Sequence, residues 1–130
     1  MRDIIIMIAI IAIILSGDML MKNYLNPATD EIIAKLEELK QNTIKAKETE
    51  DRSEIKEQIK EVEHIWNDHL EIWSTIVMHQ ELDNIAQPLA RARLNINDGN
   101  LEDALQEIET TIFYLNHVKE REKFNLKNIF

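Results

Sequence analysis

The stretch SEIKEQIKEVEHIWNDHLEIWSTIVMH, Ser53 to His79, decides the fold. Ile55, Ile59, Val62, Ile65, Trp66, His69, Ile72, Trp73 and Ile76 recur three or four residues apart, which gathers them on one wide face of a helix over that whole span. Polar residues fill the other side. Such a face has to be covered by other helices, so the segment reads as the spine of a helical domain. Trp66 and Trp73 are seven residues apart and lie nearly above one another, as large core side chains gripping neighbouring helices.

Working outward, Glu48 to Arg52 is wholly polar and marks a chain reversal, and Asp51 followed three residues later by Glu54 has the form of a capping box. Before it, Asn26-Pro27 predicts a helix start with asparagine as cap. That helix runs to about Lys47 on the stripe Ile32, Leu36, Leu39 and Thr43. After the spine, Pro88 lacks an N–H, so the next helix is expected to start near Asn84, with Asp83 or Asn84 as cap, and to bury Leu82, Ile85, Leu89, Ala92 and Ile96. Asp98-Gly99-Asn100 predicts a left-handed stop at Gly99 and a fresh cap at Asn100. A last helix carries Leu101, Ala104, Leu105, Ile108, Ile112, Leu115 and Val118 on one face. The expected fold class is all-α, an antiparallel four-helix bundle of two helical hairpins. After a charged break at Lys119 to Lys123, the tail KFNLKNIF offers Phe124, Leu126, Ile129 and Phe130. These are expected either to fold back and cap the bundle or to dock a partner or membrane.

Upstream of the domain, Ile4 to Leu15 is an unbroken run of twelve apolar residues. Residues 4–21 would make about 27 Å of helix at 1.5 Å per residue, nearly the roughly 30 Å of a bilayer's hydrocarbon. Asp18 weakens that reading by about 2.5–3.5 kcal/mol if held at mid-bilayer, but it sits near the end, where it can reach head groups. Leu15-Ser16-Gly17 carries a bulky residue where a cleavage site wants a second small one, so an uncleaved anchor is favoured over a removed signal. A buried globular helix is disfavoured because the run has no polar face. Residues 1–24 are read as signal anchor or signal peptide and residues 25–130 as an extracytoplasmic domain, amino terminus in and domain out, on the cytoplasmic membrane.

Composition narrows the chemistry. From Lys22 onward, 14 Lys plus Arg stand against 22 Asp plus Glu, a net charge of −8 that repels phosphates and argues against nucleic-acid binding. There is no cysteine, hence no disulfide, thiolate nucleophile or cysteine-built zinc site. Gly99 is the only glycine after the leader, too few for a phosphate-cradling loop. Ser16, Ser53 and Ser74 stand in no nucleophile setting. No enzyme activity and no cofactor are expected. The densest polar group is MHQELDNI, where His79, Glu81 and Asp83 are the candidate ligands for a divalent cation, against the plainer reading of helix capping. The expected role is a membrane-anchored accessory or interaction subunit of an envelope membrane protein. The alternative is a small ligand- or metal-binding domain.

The MHQELDNI junction, the preceding HIWNDHLEIWSTIV, the segment LARARL and the closing LKNIF together resemble the domain of unknown function family numbered 4363, over nearly the whole chain. The resemblance implies a small bacterial protein, mostly from spore-forming Gram-positive lineages, with an amino-terminal hydrophobic segment, a helical domain and an ending similar to Asn128-Ile129-Phe130. It implies no catalytic residues, and it supports the anchor. Pro88 and the length of the first interhelical turn depart from the pattern expected of such proteins.

Overall fold

The computed structural model describes the backbone of residues 1–20, 23 and 25–129, and their side chains except Asp18, Leu20, Ile76 and residues 122–129. The predicted side chains Phe124, Leu126, Ile129 and Phe130 lie outside the described residues. The described residues form five helices and no strands: α1 (Arg2–Leu20), α2 (Asn26–Thr49), α3 (Ser53–Ile76), α4 (His79–Asp98) and α5 (Leu101–Ile129).

Helices α2 to α5 form a ring in which each packs on the next and α5 closes back on α2. The stripes expected from the sequence meet at its centre. Ile32, Leu36 and Leu39 of α2, Ile55, Ile59 and Val62 of α3, Ile85, Leu89 and Ile96 of α4, and Ile108 and Leu115 of α5 are all buried. Each is worth about 1.5–3 kcal/mol relative to exposure. Thr43 is tolerated in this core because its hydroxyl donates to the Leu39 carbonyl at 2.7 Å. Ile72, expected on the buried face of the spine, is instead 40 % exposed: at this end of α3 the covered stripe has narrowed to Trp66 and Trp73.

Several expected boundaries are corrected. Asn26 does not cap α2: the residue before the helix is Leu25, no side-chain cap bond forms, and Pro27 occupies the first turn. The spine stops at Ile76 and not at His79, because Val77 and Met78 are extended. Helix α4 then begins at His79, five residues earlier than the Pro88 argument placed it, and carries Pro88 in its interior. Proline removes one N–H and crowds one carbonyl, and the burial of Leu82, Ile85, Pro88 and Leu89 holds the helix together across it in spite of that cost. The charged segment Lys119 to Lys123 breaks nothing, for α5 is continuous through it to Ile129. The backbone of the tail therefore continues α5 as far as Ile129.

Gly99 behaves as expected. At φ 82° it ends α4, the Asn100 N–H donates to the Asn95 carbonyl at 2.9 Å, and the Gly99 N–H donates to that of Ile96 at 3.2 Å. The expected capping box is corrected: Arg52 and not Asp51 immediately precedes α3, and among the described residues no side-chain cap bond forms there. Asp51 Oδ1 accepts from the Ser53 N–H at 3.0 Å and from its hydroxyl at 2.7 Å. These two bonds hold the Asp51 carboxyl below its usual range.

Helix α1 stands apart. Its principal neighbour among the helices is α5. Ile4, Ile5, Ile6, Met7, Ile8, Ile10, Ile11, Ile13 and Leu15 are exposed around its circumference. Among the described residues no helix is long and apolar enough to cross a membrane.

Candidate functional site

The polar junction singled out in the sequence is built by two extended residues. Val77 turns inward and is buried, its N–H donating to the Trp73 carbonyl at 2.7 Å. Met78 turns outward and is 61 % exposed, while its carbonyl accepts the N–H groups of Glu81 and Leu82 at 3.0 and 3.2 Å. The start of α4 is thus capped by backbone alone, and no side-chain cap bond forms there.

Once α4 starts at His79, its three candidate ligands are sorted by helical geometry. His79 and Asp83 are four apart and share a face; Glu81, two residues from each, points away from both. His79 and Asp83 line an open groove of about 470 Å³ between α3 and α4, floored by Leu70, Leu82 and Ala86 and rimmed also by Glu71. Glu81 is 6 % exposed and faces α5, where Arg121 Nη1 lies 2.8 Å from its Oε1. Neither Glu81 oxygen gains an aligned hydrogen bond among the described residues. The structure therefore does not bring the three ligands together. Among the described residues no group of three His, Cys, Asp or Glu side chains could hold a metal ion.

The tryptophans beneath this junction are core, as expected. Trp66 and Trp73 are both buried, edge to face at 5.0 Å, and His69 stacks on Trp73 at 5.9 Å. Trp73 Nε1 is buried without a hydrogen-bond partner among the described residues. His64 lies on the surface 3.3 Å from Asp68, and His117 stacks on Phe113.

A second, open cavity of about 610 Å³ lies at the opposite end, between the α2–α3 and α4–α5 reversals. Two of its cations have partners. Lys47 Nζ lies 2.8 Å from Glu102 Oε2 and holds that carboxyl below its usual range. Arg52 Nη1 donates to the carbonyls of Ile96 and Asn97 at 3.0 and 2.9 Å, closing the end of α4 from the other hairpin. Sequence reasoning missed both arginines, Arg52 and Arg121, since their partners lie forty or more residues away and leave no local spacing. Between α3 and α4, Arg93 Nε lies 2.8 Å from Glu63 Oε1. Burial nevertheless raises the Glu63 carboxyl, with Arg93 opposing.

None of these groups assembles a nucleophile with a base, or an acid with a base, around an open site. What the surface offers is a groove, an exposed Met78 and an apolar helix. A family model described as "Domain of unknown function (DUF4363)" matches residues 19–129. No curated protein and no solved structure matches the chain.

Proposed function

The chain belongs to the DUF4363 family, and from that premise we propose that it is a membrane-tethered accessory protein, an antiparallel four-helix bundle held at the outer face of the cytoplasmic membrane by residues 4–21. The observation that carries the reading is helix α1. It is apolar on every side and exposes nine large apolar side chains between Ile4 and Leu15, far more contiguous apolar surface than a helix keeps in water. Lipid is the covering that suits a helix with no polar face. The reading requires the segment to be embedded as far as Met21, with Asp18 at head-group depth. The bundle's role is then to bind, and a neighbouring membrane protein of the envelope is the partner within its reach.

The test is expression of the chain with and without residues 1–24, followed by membrane fractionation and protease treatment of whole protoplasts. The full-length protein is expected in the membrane fraction, with its bundle digested from outside, and the shortened chain is expected to be released. An intact full-length protein found free of membranes overturns the tether, and a bundle protected in protoplasts overturns the orientation.

A further inference from the structure

The four packed helices are not level at the end where the chain passes from α1 into α2. Asp30, near the start of α2, pairs with Lys119, and Glu81, in the first turn of α4, pairs with Arg121. Helices α2 and α4 therefore begin at the height of those α5 residues. Helix α5 runs on to Ile129, which carries it about 12 Å beyond Arg121 at 1.5 Å per residue. This overrun stands at the end of the molecule from which α1 departs, and α5 is the principal neighbour of α1. The α3–α4 reversal lies at the same end and presents Met78, 61 % exposed.

The last segment also differs in charge from the rest of the domain. Residues 22–118 carry ten Lys plus Arg against twenty Asp plus Glu, whereas residues 119–130 carry four against two. In that last segment Lys123 and Lys127 alternate with Phe124, Leu126, Ile129 and Phe130. Basic residues interleaved with apolar and aromatic ones on a helix suit an anionic head-group layer over acyl chains. Lys119 and Arg121 are matched by Asp30 and Glu81, so Lys123 and Lys127 are the basic residues that the overrun itself supplies.

We infer that the last turns of α5, together with Met78, form a second membrane contact that binds anionic phospholipid at the surface α1 enters. The inference rests on the tether proposed above. It turns a domain on a leash into one standing upright on two points.

Because the chain has no cysteine, single environment-sensitive fluorophores can be placed by Leu126→Cys, Met78→Cys and, within α1, Ile10→Cys. The full-length protein is reconstituted into nanodiscs of phosphatidylcholine alone or of equal parts phosphatidylcholine and phosphatidylglycerol, with lipid-attached quenchers. Probes at 126 and 78 are expected to shift to the blue and be quenched in the anionic discs. Both effects should be lost in neutral discs and in a Lys123→Glu/Lys127→Glu background, while the probe at 10 is quenched throughout. Water-like emission at 126 and 78 in both lipids, with 10 quenched, overturns the second contact and leaves the tether standing. Equal quenching at 126 in both lipids overturns the preference for anionic lipid. An unquenched probe at 10 removes the tether and the inference with it.

Discussion

Among single residues, Glu81 has the most exacting environment. A carboxylate with 6 % exposure beside one guanidinium, and without aligned hydrogen bonds among the described residues, is costly to strand. Arg121→Ala is expected to lower stability by about 1–3 kcal/mol, more than the loss of a surface pair, because it leaves the buried charge unpaired. The double variant Glu81→Met/Arg121→Met should recover most of that loss, and urea unfolding of all three proteins checks the order. Asp51 predicts a pH dependence. Its carboxyl is depressed by the Ser53 N–H and hydroxyl, so its stabilisation is present above the ordinary carboxylate range and is lost as pH falls through the lower folded value. Asp51→Asn should therefore be less stable than the parent at neutral pH, with the gap in melting temperature closing in acid. Glu63, raised by burial, works with the opposite sign, favouring the fold as it protonates. Of the residues that define the polar junction, His79, Glu81 and Asp83 were legible as a cluster of ligand types. Their divergence was not, because it depended on where α4 begins.

Helix identity was largely written in apolar spacing. The stripes Ile32-Leu36-Leu39 and Leu82-Ile85-Leu89, and the Gly99 stop, are local signals that the packed structure preserves. Boundaries were less legible where packing overrides local preference. Pro88 argued for a late start, yet backbone capping by the Met78 carbonyl sets an early one, and the ring is held inside α4 by the surrounding core. That conflict predicts a gain. Proline costs about 3 kcal/mol against alanine in a helix interior. Removing its buried ring carbons gives back roughly 1–2 kcal/mol of burial. Pro88→Ala should thus stabilise the protein by about 1–2 kcal/mol, read as a higher midpoint in urea at unchanged slope. A lower midpoint would mean that the ring fills space alanine cannot.

Over the whole molecule, each pair of adjacent packed helices is bridged by a cation and a carboxylate: Lys35–Glu61, Arg93–Glu63, Arg91–Glu107 and Lys40–Glu109 in turn around the ring. Such half-exposed pairs, like surface pairs, contribute on the order of 1 kcal/mol each. Their larger effect is on register, since an acidic chain places its few cations where two helices would otherwise repel. Class and helix number in the domain followed from composition and periodicity. Closure of the ring by α5 on α2 did not, because it joins segments far apart in sequence.

The bond from Arg52 to the carbonyls of Ile96 and Asn97 also bears on the order of folding events. Each hairpin forms from contacts close in sequence, which are made quickly. The clasp needs both hairpins finished and side by side, so it belongs after the rate-limiting barrier. In a stopped-flow experiment Arg52→Ala should leave the refolding limb nearly unchanged and shift the unfolding limb upward at unchanged slope, with the logarithm of the unfolding rate rising in proportion to the stability removed. The guanidinium then governs how long the native state lasts and hardly at all how fast it is reached.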